Sequence, residues 1–248
     1  MADPVPALTS ASSSKIIPRA ERLIVALDVE SASQAEALVE QLGDSVRFYK
    51  LGLQLFMAGG YFELVEKLKR MGKRVFVDLK FFDVPETVAS AVRALSRRDV
   101  DFATVHGNDS ILEAACSQRG RIDILAVTVL TSLDRGDIDA LGFQCDVEEL
   151  VLSRARRALA VGCSGVISSG LEAPRLRAEL GARLLVVTPG IRPVENRPID
   201  DQKRTVDVAT AFQNGADYIV VGRPIRSAAD PRAAALAVQE TIAAIFPS

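Results

Sequence analysis

The sequence predicts a single-domain α/β protein folded as a (β/α)8 barrel, the TIM barrel. Eight short apolar runs rich in Val, Ile and Leu alternate with eight segments of helical spacing. Such alternation implies a parallel sheet with right-handed crossovers. The length of 248 residues is usual for one barrel, and no linker divides the chain. An open, doubly wound sheet is the alternative, but eight units in about 230 residues fit a closed barrel better.

Each strand is predicted from an apolar, mostly β-branched run, and each helix from an amphipathic repeat, with Gly43, Gly72 and Gly120 as helix ends. The predicted strands cover residues 23–28, 46–51, 73–79, 101–106, 122–129, 165–168, 183–188 and 216–221. The predicted helices cover residues 33–42, 62–71, 86–98, 110–119, 146–160, 173–180, 205–213 and 231–245. Residues 1–14 are rich in Pro, Ala and Ser, so we expect a flexible tail over 1–20 and the barrel over 21–248.

Composition indicates which partners to expect. The net charge of −2 gives no reason to expect nucleic acid or a membrane as a partner. No apolar run reaches membrane-spanning length, and we expect no secretory signal because the N-terminal residues lack an apolar segment. Cys116, Cys145 and Cys163 are scattered, which is typical of a reducing, cytoplasmic compartment. With a single His and no CxxC spacing, we expect no metal site.

The stretch RVFVDLKFFDVPETV, residues 74–88, places charged residues at the end of an apolar strand. Side chains alternate along a strand, so Asp78 and Lys80 are predicted to share a face while Leu79 points away. Asp83 follows the strand and precedes Pro85, a good residue for the first turn of a helix. Taken alone, this pattern also fits a structural ion pair at a strand end.

Polar residues recur where the other predicted strands end, and in a (β/α)8 barrel this edge is the active-site face. With the third strand included, the residues at these strand ends, most of them polar, are Asp28, Lys50, Asp78, Lys80, His106, Thr131, Pro189, Gly190, Arg192, Gly222 and Arg223. A lone His ending a strand is more often structural, so we assign His106 no role. The convergence favours a functional site over a structural ion pair at Asp78 and Lys80.

Five of the charged residues are predicted to form one cluster of alternating sign: Asp28, Lys50, Asp78, Lys80 and Asp83. Each neighbour favours the charged form of the next, so the lysines stay protonated and the carboxyls ionised. Such an array can hold an ammonium beside a reacting carbon and a carboxylate against a leaving carboxylate. A solvated network at the rim is the alternative interpretation.

Two features predict a phosphate site. Gly222 and Arg223 follow the eighth strand, where barrel enzymes often bind phosphate. The glycine lets the backbone N–H approach an anion closely, and the arginine guanidinium can donate two parallel hydrogen bonds to that anion. The long segment 191–204 is predicted to be a lid or binding loop whose Gln202 bridges a base and a phosphate. A simple turn and an ordinary surface insertion are the alternatives.

Seven motifs occur in order: ALD at 26–28, YKLG at 49–52, DLKFFDVPETV at 78–88, TVLTS at 128–132, PGIR at 189–192, DQKR at 201–204 and VGRPI at 221–225. With them the chain resembles the bacterial-type orotidine 5′-phosphate decarboxylases from Arg22 to its C-terminus. The resemblance implies conversion of orotidine 5′-monophosphate to UMP and CO2 without a cofactor, the last step of de novo pyrimidine biosynthesis.

The resemblance also implies residue roles. Lys80 protonates C6, Asp78 adjoins the departing carboxylate, and Lys50 holds Asp78 in place. The resemblance implies that Asp28 and Lys50 contact the ribose and that Thr131 and Gln202 contact the pyrimidine. Gln202, Gly222 and Arg223 are implied to bind the phosphate. Pro189 and Arg192 belong to the loop on the phosphate side. Asp83 and Thr87 are implied to reach the site of the second subunit of a homodimer.

Two other functions stay open. The 3-keto-gulonate-phosphate decarboxylases share the D-x-K-x-x-D pattern but use Mg²⁺ and have Glu at the strand-two position. Here that position is Lys50, which would repel a divalent cation. The third hypothesis is a barrel that binds a sugar phosphate without turnover. An absorbance assay with orotidine monophosphate, with and without EDTA, separates the three hypotheses.

Overall fold

The chain forms a closed barrel of eight parallel strands arranged in sequence order. The structure is a computed structural model that describes residues 15–192 and 204–247. The strands are β1 (Leu23–Ala26), β2 (Phe48–Gly52), β3 (Arg74–Phe81), β4 (Phe102–His106), β5 (Asp123–Val127), β6 (Gly165–Ile167), β7 (Leu185–Thr188) and β8 (Tyr218–Val221). Pairing of β1 with both β2 and β8 closes the sheet. This closure confirms the predicted barrel and rules out the open sheet.

Helices surround the barrel. Within the described residues they are α1 (Ala32–Leu42), α2 (Leu53–Met57), α3 (Tyr61–Arg70), α4 (Pro85–Leu95), α5 (Asp109–Gln118), α6 (Arg135–Ala140), α7 (Val147–Ala160), α8 (Ala173–Leu180), α9 (Val208–Gln213), α10 (Arg223–Arg226) and α11 (Pro231–Ile245). Short 3₁₀ turns lie at Arg19–Glu21, Gly43–Ser45 and Ser96–Arg98. Pro85 occupies the first turn of α4, as predicted.

The differences from the predicted bounds have local causes. Helices α2, α6 and α10 were not predicted, because segments of six residues or fewer contain too few turns to show a helical repeat. Helix α9 starts at Val208, three residues later than predicted, since the Asp207 side chain accepts a hydrogen bond from the backbone N–H of Thr210 and caps the helix. Strand β1 ends at Ala26, so Asp28 lies beyond the strand.

The apolar core has two layers. The larger lies between the strands and the helices, and the smaller fills the barrel interior. In the interior, Phe48 and Tyr218 each pack against Phe102, with ring centroids 5.0 and 5.2 Å apart. The Arg74 guanidinium lies 4.4 Å from the Phe48 ring centroid. These residues belong to the first positions of their strands, so they fill the N-terminal end and leave the C-terminal mouth open.

The predicted tail, residues 1–20, is described only from Lys15 onwards. The Lys15 ammonium donates hydrogen bonds to the Leu184 carbonyl at 2.5 Å and to Asp217 Oδ2 at 3.1 Å, at the N-terminal end of the barrel. The boundary between tail and barrel stays a prediction. No helix within residues 15–192 and 204–247 has the length and hydropathy needed to span a membrane.

Candidate active site

Four of the predicted residues form a continuous ionic cluster at the C-terminal mouth of β1, β2 and β3. The Lys50 ammonium lies 3.0 Å from Asp28 Oδ1 and 3.3 Å from Asp78 Oδ2. The Lys80 ammonium lies 2.8 Å from Asp78 Oδ1. At the centre, the side chains of Lys50 and Asp78 are only 11% and 12% exposed, whereas the Lys80 side chain is 40% exposed. The cluster therefore has a fixed inner pair and an outer ammonium that faces the cavity.

The electrostatics of the cluster keep its inner members charged. Burial alone would raise the pKa of Asp78, but the charges of Lys50 and Lys80, with hydrogen bonds from Lys80 and Thr104, outweigh it and lower that pKa to about 2. Burial would lower the pKa of Lys50, but Asp78 and Asp28 outweigh it and raise that pKa. Both directions favour the ionised forms, so this pair carries its charges at neutral pH.

Lys80 has an unusual backbone conformation. Its φ is +48°, in the left-handed region that residues with a side chain rarely adopt. The β3–β4 register shifts between Val77 and Phe81, and the Lys80 N–H donates to Thr104 Oγ1 at 3.0 Å in place of a regular ladder bond. Asp78 and Lys80 do meet, and Leu79 packs on the outer core as predicted. The prediction that regular strand alternation puts Asp78 and Lys80 on one face was wrong. A bulge in β3 instead orients the Lys80 side chain toward the mouth of the barrel.

A cavity of about 250 Å³ opens beside the cluster. Phe76 and Val220 of the barrel interior contribute to its lining, and Asp28, Lys50, Asp78 and Lys80 contribute the ionic side. Thr131, Pro189, Gly190, Arg192, Gly222 and Arg223 also line it. The cavity thus brings together these ten predicted residues, which come from six separate loops and strands.

Gly190 has a backbone requirement. Its φ of +77° lies in the left-handed region, where a side chain would be strained. The next residues are held in place, because the Arg192 N–H donates to the Val206 carbonyl at 2.9 Å and Ile191 pairs with Val206. Arg192 is therefore fixed at the cavity by its backbone as well as by the position of β7. Gln202, which the sequence predicts here, lies outside the described residues.

Asp83 and Thr87 do not join the cluster of their own chain. Asp83 is exposed, its Oδ1 accepts a hydrogen bond from the Val84 N–H at 2.6 Å, and it lies in a separate surface depression with Phe82 and Asn108. Thr87 is exposed on the first turn of α4. The prediction that Asp83 belongs to the cluster within one chain was wrong, because after Phe81 the chain turns outward before Pro85 begins the helix.

Sequence analysis missed Thr104, which touches the cluster directly. Its hydroxyl donates to Asp78 Oδ1 at 2.9 Å. The pairing of Phe76 with Phe102 and of Val77 with Ala103 puts Thr104 next to Asp78 on the neighbouring strand. An inward-facing threonine two residues after Phe102 was the available signal, but using it requires the strand register.

Arg226 was missed as well. It lines the cavity three residues after Arg223, within the short helix α10. Its spacing of three residues from Arg223 was the available signal, since residues three apart lie on one helix face, but a four-residue helix is too short to be recognised by a repeat. Among the described residues, three arginines line the cavity together with the lysine–aspartate cluster: Arg192, Arg223 and Arg226.

Arg204 links three of the loops around the cavity. Its guanidinium forms an ion pair with Glu172, after β6, and donates to the Leu130 carbonyl at 2.9 Å, after β5. Glu172 also accepts a hydrogen bond from Ser169. The contact with Leu130 adjoins Thr131, so Arg204 helps to fix the position of a cavity residue. The sequence analysis placed Arg204 at the end of a long loop and in the DQKR motif, without a role in linking loops.

His106 lies outside the cavity-lining residues. Its ring is half-buried against Phe82, with the two ring centroids 5.3 Å apart. Burial lowers the pKa of His106, and the positive charges of Arg154 and Lys80 lower it further. No contact ties it to the ionic cluster, so we continue to assign it no role. Among the described residues, no group of three or more His, Cys, Asp or Glu side chains could hold a metal ion.

The fold and the site define a (β/α)8-barrel enzyme whose cavity is lined by a lysine–aspartate cluster and by arginines that follow β7 and β8. Residues 21–238 match the model of the Orotidine 5′-phosphate decarboxylase / HUMPS family, and the chain belongs to this family.

Similar proteins cover nearly the whole chain. The orotidine 5′-phosphate decarboxylase of Methylococcus capsulatus is 69% identical over 234 residues, which are 94% of this chain and 97% of that protein. That of Stenotrophomonas maltophilia is 52% identical, over 90% of this chain and 93% of that protein. The crystal structure of the Lactobacillus acidophilus orotidine 5′-phosphate decarboxylase is 35% identical with a TM-score of 0.79, and the match covers 90% of this chain and 99% of that one.

Proposed function

We propose that this protein decarboxylates orotidine 5′-monophosphate to UMP and CO2 without a cofactor, as the last step of de novo pyrimidine biosynthesis in the cytoplasm. The observation that carries the proposal is the position of the Lys80 ammonium. Its nitrogen lies 2.8 Å from Asp78 Oδ1, and it lines a cavity that is also lined by three arginines following β7 and β8. A nucleotide with a carboxylate near one end and a phosphate at the other matches this distribution of charge.

In this reaction the bond between C6 and the carboxylate carbon breaks, and its electron pair stays on C6. An ammonium already held beside C6 stabilises that charge without reorganising in the transition state. Lys80 then donates a proton to C6 and recovers one from water. Asp78 stays ionised because its pKa is lowered to about 2. Its negative charge next to the substrate carboxylate favours departure of neutral CO2.

The remaining predicted residues have proposed roles in binding and orientation. Lys50 holds Asp78 and, with Asp28, contacts the ribose. Thr131 and Gln202 contact the pyrimidine. We assign the phosphate to Gln202, Gly222 and Arg223, with Pro189 and Arg192 in the adjoining loop. Burial of the phosphate by these groups supplies binding energy far from C6, which can be used to orient the reacting end.

We propose that the active form is a homodimer in which Asp83 and Thr87 complete the partner's site. Two observations support it. Neither residue lines the cavity of its own chain. The neighbours of Asp83 are apolar and open to solvent, with Phe82 67% and Val84 63% exposed. Clustered exposed apolar side chains are typical of protein–protein contact surfaces.

Full activity is expected after exhaustive chelation. The Lys50 ammonium lies between the carboxylates of Asp28 and Asp78, at 3.0 and 3.3 Å, where a metal ion bridging them would have to sit. The measurement is the absorbance change of orotidine monophosphate after dialysis against EDTA, with 3-keto-gulonate phosphate as the alternative substrate. Activity that disappears with EDTA and returns with Mg²⁺ would favour the 3-keto-gulonate-phosphate decarboxylases. Binding without turnover would favour the non-catalytic barrel.

Arg223→Ala is expected to lower kcat/KM for orotidine monophosphate by about 10- to 100-fold, because each lost charge-assisted hydrogen bond contributes about 1.5–3 kcal/mol. The nucleoside orotidine lacks the phosphate, so its slow turnover should barely change. Arg223→Lys keeps the positive charge but cannot donate two parallel hydrogen bonds to the phosphate. Its kcat/KM for orotidine monophosphate should therefore lie between those of the wild type and Arg223→Ala. Arg232→Ala, on the exposed face of α11, is the control. Equal fractional losses for both substrates would contradict the phosphate role.

A further inference from the structure

Cys116 and Cys163 lie in contact although 47 positions separate them in sequence. Their sulfur atoms are 3.6 Å apart. Cys116 belongs to the last turns of α5, and Cys163 lies in the turn between α7 and β6. Two thiols at this distance are in van der Waals contact, and a movement of about 1.6 Å would bring them to disulfide bonding distance.

The two segments are held together around the pair. The Arg119 guanidinium, three residues after Cys116, donates to Ser164 Oγ at 2.7 Å. The backbone N–H of Cys163 donates to the Ala158 carbonyl at 2.9 Å, and that of Ser164 donates to the Ile124 carbonyl at 3.0 Å. The backbones that would be bridged are therefore already positioned, so closure needs little chain ordering.

The two thiols differ in exposure and in the direction of their pKa shifts. Cys116 is partly exposed and Cys163 is buried. The hydrogen bond from Cys163 lowers the pKa of Cys116 and outweighs the opposing effect of burial, and the charge of Arg119 lowers it further. That hydrogen bond and burial raise the pKa of Cys163. A partly exposed thiol whose pKa is lowered, in contact with a buried second thiol, is the arrangement found where a cysteine is oxidised and then resolved by its neighbour.

We propose that Cys116 and Cys163 form a reversible oxidative modification site, closed to an intramolecular disulfide by small-molecule disulfides such as oxidised glutathione. The Cys116 thiolate attacks one glutathione sulfur, forming a mixed disulfide and releasing one glutathione thiolate. The Cys163 thiol loses its proton to solvent and attacks the Cys116 sulfur, releasing the second glutathione. Two protein thiols are oxidised and one glutathione disulfide is reduced to two thiols.

The bridge should stabilise the barrel without changing its chemistry. Both cysteines lie at the N-terminal end of the barrel, because α5 ends there and Cys163 precedes β6. The candidate active site is at the opposite mouth. A bridge closing a loop of 47 positions restricts the unfolded chain, so we expect Tm to rise by several degrees while kcat stays constant.

The test uses the full chain with Cys145→Ser, which removes the third thiol. After incubation of the folded protein with oxidised glutathione, we expect an intact mass lower by about 2 Da, since disulfide formation removes two hydrogens. Peptide mapping should join Cys116 to Cys163. Adding Cys163→Ser should instead leave a stable glutathione adduct on Cys116, and adding Cys116→Ser should abolish oxidation.

Three results would overturn the proposal: both thiols still free after treatment, a persistent glutathione adduct on Cys116 while Cys163 is present, or a bridge that forms only after denaturation. Mass and mapping of the fully reduced chain provide the reference, so none of these three results depends on decarboxylase activity. Failure of this proposal would therefore leave the proposed function untouched.

Discussion

Lys80→Ala is expected to lower kcat for orotidine monophosphate by at least 100-fold while leaving a folded protein that still binds UMP. A general acid typically contributes about 10²–10⁴-fold, and this ammonium would also stabilise the developing charge on C6. Folding should survive because Asp78 keeps Lys50 at 3.3 Å and the Thr104 hydroxyl at 2.9 Å as partners. Single-turnover kinetics, UMP titration and thermal melting measure the three quantities.

Lys67→Ala is the matched control for Lys80→Ala. Lys67 forms an ion pair of similar length, 3.0 Å to Glu36, and its side chain is 39% exposed, but it lies on α3 away from the cavity. This variant should retain wild-type kcat. A Lys80→Ala protein that kept more than about a hundredth of wild-type kcat would make the general-acid role untenable.

Asp83→Ala is also expected to be nearly inactive, and mixing it with Lys80→Ala should restore activity. In a symmetric dimer with shared sites, each mixed dimer has one intact site and one doubly defective site. Recovery should approach about a quarter of wild-type activity, because random exchange makes about half of the dimers mixed. The measurement is kcat of the mixture after subunit exchange has been verified with differently tagged chains.

A second mixture is the control that distinguishes sites shared between subunits from a nonspecific recovery of activity on mixing. Lys80 and Asp78 form an ion pair within one chain at 2.8 Å, so Lys80→Ala mixed with Asp78→Asn leaves both sites of every dimer defective. That mixture should show no recovery. If the Asp83→Ala mixture also showed none despite complete exchange, Asp83 would not complete the partner's site, and the proposed arrangement of the homodimer would be wrong.

The sequence predicted those features that depend on repetition and convergence. Alternating strands and helices led to the barrel, and a barrel forces strand ends together, so Asp28, Lys50, Asp78 and Lys80 could be placed in one cluster without knowledge of their distances. Arg223 was predicted because phosphate sites recur after the eighth strand of such barrels. Its position at the cavity follows from the same topology.

Features that depend on local departures from regular geometry could not be predicted. The bulge that gives Lys80 a φ of +48° cannot be recognised from a run of apolar and charged residues. The turn after Phe81 places Asp83 outside the ionic cluster of its own chain. Thr104 required the register between β3 and β4. Arg204 joins Glu172 and the Leu130 carbonyl, which belong to loops distant in sequence.

The most direct test of the central claim is a crystal structure of the protein with UMP bound. We expect the nucleotide in the cavity beside the cluster, with C6 of the base next to the Lys80 ammonium and the phosphate at Gly222 and Arg223. A nucleotide bound in the opposite orientation, with its phosphate on Lys80 and its base among the arginines, would contradict the account. So would a nucleotide bound outside the cavity.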